Sequence, residues 1–361
     1  MYSQDDLNAA VAAGALSQQA ADALREHTAR AKSVPLVDEE QFRLITGFND
    51  IFVVIACLIL LSSIGWLAGS LNFALGALAV AGSSWALAEF FTLKRRMALP
   101  SILLLGGFVW SVMVAFQSLG GAVLALFEGD PGLIVRSPSS LASVTSLAFS
   151  SLAGAVAAWL HWRRFKVPIT IAAGALALVA GGYSVLVMAE SSLTIWLTAW
   201  FLLSGSAIFI IALRWDASDP QRQSRNSDVA FWLHLLAAPL LVHPVFTLLG
   251  VLSGAPSAFQ GIGVLAVYLL IAVVSLAIDR RAMMVSSLGY VLYTIAALLQ
   301  TFGAIGFGFA LTALVIGSAL LLLSAFWQPC RQRVLLALPT GLRAWCAPLP
   351  KSEATFDRTA F

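Results

Sequence analysis

Ionisable side chains are scarce in this 361-residue chain: Asp, Glu, Lys and Arg together make up 11%, where an ordinary soluble domain carries about 25%. The 21 basic and 18 acidic residues cannot coat a globule of this size. That excludes a soluble enzyme, a disordered tail protein and a nucleic-acid-binding module. Cysteine is nearly absent. Cys57, Cys330 and Cys346 form no C-x-x-C pair, so no disulfide framework or zinc site is expected, and each reads as a small hydrophobe. Histidine occurs four times, once (His27) in the polar head. H-E-x-x-H, G-x-S-x-G, Walker A and a Gly-rich nucleotide loop are all missing, so no catalytic residue, metal or cofactor is expected and an enzyme is the less favoured reading. No signal peptide is read either. The first apolar run begins near Ile51, behind a polar head, and the first span itself is expected to direct insertion.

What the chain has is hydrocarbon. Apolar residues make up 60% of it, and mean hydropathy is +0.89. Continuous apolar runs of about 20 residues cross a bilayer core as helices, because lipid offers the backbone no hydrogen-bond partners. The runs do not alternate, which favours helices over a barrel. Ten such runs are read: 51–69, 73–93, 99–119, 141–160, 167–188, 193–213, 229–251, 262–278, 284–302 and 307–327. The expected fold is all-α, a polytopic transmembrane bundle of about ten spans in which short connections make successive helices antiparallel neighbours.

Lys and Arg orient the bundle. With the N-terminus cytoplasmic, the head, the even-numbered connections and the tail hold every basic residue except Arg136. The positive-inside rule expects such a bias, and a wrong span count would scramble it. Both termini are therefore expected in the cytoplasm and the membrane is expected to be the inner membrane. Trp66, Trp196 and Trp200 fall near outer span ends, and Trp159, Trp162, Trp215, Trp232 and Trp327 near inner ones, as interfacial belts require. Trp110 is the exception, near mid-span.

Three parts follow: a helical head and linker helix (1–47), a membrane domain (48–327) and a partly interfacial tail (328–361). In the head, Ser3 is a candidate N-cap, Gly14 stops the first short helix and Ser17 caps the next. A third helix is expected over about 37–47. Segment 120–140 reads as a plain outer loop in preference to a short interfacial helix or re-entrant turn. The mixed residues after Trp327 suit a helix on the inner membrane face. Halves 51–188 and 193–327 contain five spans each, as inverted repeats would. The loops differ between halves, and inner turns collect Arg in any multi-pass chain.

The richest polar stretch runs from Arg214 to Asp228 and leads into a span carrying His234, Pro239, His243 and Pro244. Ser227 is the expected N-cap. Two ionisable groups on one span invite a functional reading: a proline-bent helix lining a cavity with His234 and His243 as ligand or proton contacts. The alternative is that each imidazole bonds a neighbouring helix and fixes packing. Nine residues set them about 13.5 Å and half a turn apart. Glu89, the one carboxylate read within a span, is a further cavity candidate, or pairs with Arg95 or Arg96. Asp216, Asp219, Arg222, Arg225, Asp228 and Arg280 form a candidate cytoplasmic polar cluster. Gln117 and Gln300 are candidates for hydrogen bonds between helices. Gly65/Gly69 and Gly250/Gly254 have G-x-x-x-G spacing.

The stretch from Ser218 through Arg222, Arg225, Asp228 and His234 to Pro239 resembles one found in uncharacterised multi-pass inner-membrane proteins of proteobacteria. Asp279-Arg280-Arg281-Ala282, the tail around Pro339 and Pro348, and Ala13-Gly14-Ala15-Leu16-Ser17 of the head are similar to that group too. The resemblance implies location and topology and brings no catalytic residues. Three functions compete: a transporter of a small or amphiphilic solute using His234, His243 and Glu89; a scaffold recruiting a cytoplasmic partner through residues 1–33; and, more weakly, a lipid-modifying enzyme in which Arg222, Arg225 and His234 face anionic headgroups.

Overall fold

A computed structural model describes residues 11–14, 16–24, 48–128, 141–189, 194–219, 224–251, 257–301, 307–339 and 341. The chain divides into two units: residues 1–42 with 348–361, and Arg43–Ala347. In the first unit Gly14 takes φ +70° and its N–H bonds the carbonyl of Val11 at 3.0 Å. Ser17 Oγ then accepts from Ala20 N at 3.1 Å and opens the helical segment 18–24. The expected cap at Ser3 and helix at 37–47 lie outside the described residues.

The described residues of the second unit form helices joined by turns, with no strand among them. Its elements are α1 (Phe48–Gly69), α2 (Phe73–Ala88) with a π-helical turn (Glu89–Lys94), α3 (Ala98–Glu128), α4 (Leu141–Phe165) and α5 (Ile169–Ala189). They continue as α6 (Thr194–Ala217), α7 (Arg225–Leu248), α8 (Ala258–Ile278), α9 (Ala282–Thr301), α10 (Phe307–Ala325) and α11 (Trp327–Ala337). Each of the ten apolar runs read from the sequence falls on one of the helices α1 to α10. Among the described residues eight helices, α1 to α8, are long and apolar enough to cross a membrane. On α1, Phe52, Ile55, Ile59, Trp66 and Leu67 all project outward. Water would penalise such a surface and lipid solvates it. The chain is a multi-pass integral membrane protein.

Two boundaries differ from the sequence reading in ways that matter. Segment 120–128 continues α3 to Glu128 instead of forming a loop; Ala122–Phe127 is apolar enough to extend the helix past the run that defined the span. The N-cap of α7 is Ser224, not Ser227. The Asp219 carboxylate accepts from Ser224 N and Oγ, both at 2.7 Å. This fixes Ser224 where its own Oγ can receive Asn226 N at 3.2 Å, and the helix starts one turn earlier. Pro239 and Pro244 both lie within α7, which continues unbroken to Leu248.

Small residues let the helices approach. A Cβ on Gly76 of α2 would lie 2.8 Å from the Gly65 carbonyl oxygen and 2.8 Å from Gly69 Cα. The first G-x-x-x-G pair is thus the face on which α1 meets α2. Gly250 instead sits past the end of α7 at φ +70°, and Gly254 lies outside the described residues. Gly182 of α5 makes room for the Trp200 ring of α6, which a Cβ there would approach to 2.0 Å. Trp200 Nε1 donates to the Val179 carbonyl at 3.0 Å. Gln117 Nε2 donates to Ser146 Oγ at 2.8 Å, joining α3 to α4; the Gln300 side chain lies outside the described residues.

At one end of the bundle three of the turns are three residues long. Arg96, Lys166 and Asp279 take φ of 53°, 55° and 59° between α2 and α3, α4 and α5, and α8 and α9. The left-handed residue reverses the chain and lets the next helix start at once. Cations at this end stack on rings: Arg163 over Trp159 at 4.9 Å, Lys166 over Trp162 at 5.2 Å and Arg281 over Trp327 at 4.8 Å. Such stacking holds a charge beside an apolar body at an interface.

Candidate functional site

Among the described residues the densest buried polar assembly lies at that same end. Helix α6 runs one turn past its apolar stretch and carries Asp216 inward. Helix α7, started by Ser224, brings Ser227 and His234 on one face, seven residues or about two turns apart. The α8–α9 turn supplies Arg280, whose N–H bonds the Ser275 carbonyl at 3.0 Å and whose carbonyl accepts from Ser275 Oγ. The Asp216 carboxylate takes Arg280 Nη2 on Oδ1 at 2.5 Å and Arg280 Nε on Oδ2 at 3.4 Å. His234 Nε2 lies 2.9 Å from Oδ2. An ionised carboxylate has no proton to give, so Nε2 carries the hydrogen and donates. Arg280 Nη2 also donates to the Ser227 carbonyl at 3.1 Å and to its Oγ at 3.0 Å.

The side chains of His234, Arg280 and Asp216 are 0%, 3% and 10% exposed. Each charge is therefore held by named partners in place of water, the condition under which a buried ion pair is tolerated. One carboxylate ties α6, α7 and the α8–α9 turn together. Next to Arg280, Asp279 Oδ1 accepts Trp327 Nε1 at 2.7 Å and faces Arg331 Nε at 3.7 Å, which fastens α11. Trp327, Arg331 and Leu335 are the buried stripe of that helix.

The candidate residues fall into separate places. His234 is sealed against Asp216 and Phe209 rather than open to a cavity or to headgroups. His243, half a turn round α7, is exposed and pairs through Nδ1 with the Tyr290 hydroxyl of α9 at 2.7 Å. Pro239 is exposed, on the stretch where α6 and α7 close up: a Cβ on Gly205 would come within 3.0 Å of Leu240. Glu89 lies on the π-helical turn and binds Arg164 of α4 in a fork, at 2.8 and 2.7 Å, in place of Arg95 or Arg96. Of the polar cluster, Asp216 and Arg280 meet, Asp219 serves the α7 cap, Asp228 and exposed Arg225 lie in the first turn of α7, and Arg222 is outside the described residues. Among the described residues no three His, Cys, Asp or Glu side chains gather as a metal ion needs.

Two features escaped the sequence reading. His161 of α4 is fully buried in a cage of Trp85, Phe108 and Phe165. Its Nδ1 lies 3.3 Å from Thr170 Oγ1, and its Nε2 has no hydrogen-bond partner among the described residues. Its position just inside the Arg163–Arg164 pair was the available signal. The second is a cavity of about 190 Å³ between α8, α9, α10 and α11. Tyr268, Met284, Leu288, Leu320, Leu323 and Ser324 wall it, with Arg281 and Trp327 at the basic end. The Tyr268 hydroxyl is buried without a hydrogen-bond partner among the described residues. Comparison of the chain with protein-family models, with curated proteins and with solved structures finds no match in any of the three.

Proposed function

We propose that this multi-pass membrane protein is a ten-span protein of the inner membrane with both termini in the cytoplasm, and that it carries a small amphiphilic solute. The resemblance to uncharacterised proteobacterial inner-membrane proteins is part of the same proposal. The observation that carries the function is the α8–α11 cavity, apolar along its walls with a guanidinium and an indole at its basic end. A hydrophilic solute would leave such walls unsatisfied; a molecule with a charged head and an apolar body matches both parts. Supporting the orientation, the stacked cations Arg163, Lys166 and Arg281 share the end that the positive-inside rule assigns to the cytoplasm.

The test is reconstitution of the purified chain into vesicles and measurement of transbilayer transfer of a fluorescent amphiphile. Transfer above protein-free vesicles, lost when Leu320→Trp fills the cavity, is the expected result. Transfer equal to that of empty vesicles overturns the carrier reading. A scaffold role keeps one argument of its own, since residues 1–42 with 348–361 form a separate unit; deleting residues 1–33 would then abolish function while Leu320→Trp would not.

A further inference from the structure

We infer that the basic patch formed by the α2–α3 and α4–α5 turns binds the phosphate headgroups of anionic phospholipids in the leaflet around that end of the bundle. This goes beyond the carrier reading. It rests neither on that reading nor on which side of the membrane this end faces.

The first observation is the charge. Lys94, Arg95, Arg96, Arg163 and Lys166 are all exposed, and none of the five forms an ion pair among the described residues. Two carboxylates are described at this end of α1 to α5. Asp50, at the start of α1, is buried. Glu89 is taken by Arg164 in the fork at 2.8 and 2.7 Å, and its field also reaches Lys94. The two turns make one patch. Phe91 and Leu93 share an apolar cluster with Phe165 and Val167, which flank Lys166, and the Glu89–Arg164 fork crosses between the two sets of cations.

The second is the contrast with the rest of that end. On α6 to α9 and the turns that join them, four arginines are matched by four aspartates among the described residues, with Arg280 on Asp216 as the buried example. The excess of positive charge is therefore gathered on α2 to α5. Like charges so placed repel one another, and an anion seated among them removes that cost.

The third is the depth of the cations. Arg163 lies 4.9 Å over the Trp159 ring, and Arg95 and Lys94 lie 5.5 and 6.0 Å over Phe90. The wide π-helical turn, closed by the bond from Arg95 N to the Phe90 carbonyl at 3.0 Å, sets both of those cations over one ring. Trp159 and Phe90 are 53% and 42% exposed and belong to helices that span the membrane, so their open faces meet lipid. A cation stacked on a lipid-facing ring sits at the level of the headgroups, where the guanidinium fork suits phosphate. A soluble acidic protein would reach these charges only from the aqueous end and would leave the rings without a purpose.

The experiment titrates the full chain in detergent micelles with phosphatidylglycerol or phosphatidylcholine and reads bound lipid by native mass spectrometry. Phosphatidylglycerol should bind about tenfold more tightly than phosphatidylcholine. At about fivefold for each cation, the double variant Arg95→Gln/Arg163→Gln should erase that preference. Should this variant fail to fold, Lys94→Gln/Lys166→Gln makes the same test. Glu89→Gln should strengthen the preference, because it removes a carboxylate and frees Arg164. Arg214→Gln/Arg225→Gln, which deletes two charges from the matched side of the same end, should leave the preference as it is. Raising salt should weaken phosphatidylglycerol binding and spare that of phosphatidylcholine. Equal binding of the two lipids, persistence of the preference in both double variants of the patch, or an equal loss in Arg214→Gln/Arg225→Gln would each overturn the inference. So would displacement of phosphatidylglycerol by an equal concentration of inorganic phosphate or of a soluble glutamate-rich peptide, since the patch would then serve a soluble anion.

Discussion

Asp216→Ala removes the one carboxylate that serves Arg280 and His234 together. The Arg280 side chain is 3% exposed, so its charge cannot turn to water when the carboxylate is lost. What remains is a guanidinium hydrogen-bonded to the Ser227 carbonyl and hydroxyl, with the Asp228 carboxylate nearby, and an imidazole that has lost this acceptor. Breaking a buried pair by deleting one member costs about 3–5 kcal/mol, most of it the penalty of the stranded charge. That is more than a hundredfold in the folded-to-unfolded ratio, since about 1.4 kcal/mol is tenfold. Glu89→Ala is the internal control. It removes an equally well-formed fork to Arg164, but that pair is exposed, so Arg164 rehydrates and the loss is small. The assay is unfolding of the purified variants by SDS in mixed micelles, followed by tryptophan fluorescence. Asp216→Ala should unfold at clearly lower SDS fraction than Glu89→Ala. The double variant Asp216→Ala/Arg280→Ala should recover part of the loss, because it removes the stranded charge as well. If Asp216→Ala unfolds where Glu89→Ala does, or the double variant is worse than the single by the full cost of a second pair, the cluster is not the tie described here.

Gly182→Ala should destabilise the α5–α6 contact by clash with Trp200, read as a lowered midpoint in the same unfolding assay, and Trp200→Ala in the same chain should restore part of it. Ser224→Ala should cost about 1 kcal/mol through loss of the α7 cap; the α7 amides at residues 225–228 should exchange hydrogen faster. Single substitutions His243→Ala and Tyr290→Phe should have nearly the same effect on stability, and the double variant should add little, because both remove one 2.7 Å bond. A fully additive double variant would refute that pairing.

The helical segments were legible because lipid leaves the backbone a single solution, and a run of about 20 apolar residues states it directly. Ends were less legible, for an opposite reason at each. Helix α6 outlasts its apolar run, so Asp216 was read as part of a connection when it is the last-turn residue that organises the site. The cap of α7 depends on Asp219, whose bond to Ser224 spans five residues and has no periodic signature. Partners were not legible at all: Glu89 finds Arg164 across 75 residues, a choice set by the packing of α2 on α4 and not by local spacing. The two G-x-x-x-G pairs make the same point. Gly65 and Gly69 lie on one helical face and serve packing, whereas Gly250 lies beyond its helix, where that spacing no longer describes a face. The Tyr268–Trp327 cavity joins residues of four helices, none of them unusual alone.

The tight reversals at Arg96, Lys166 and Asp279 bear on biogenesis. A non-glycine residue held left-handed costs about 1–2 kcal/mol, which glycine would avoid, yet two of the three sites carry a cation and the third directly precedes Arg280 and Arg281. On the proposed orientation, with so little chain between them, the helices on either side would leave the translocon as a pre-paired hairpin with the charged reversal as its anchor. Glycine at Arg96 or Lys166 would relax the local backbone while loosening the hold on which way that hairpin faces. The energetic optimum of the finished bundle and the fidelity of its insertion therefore pull these two positions in opposite directions.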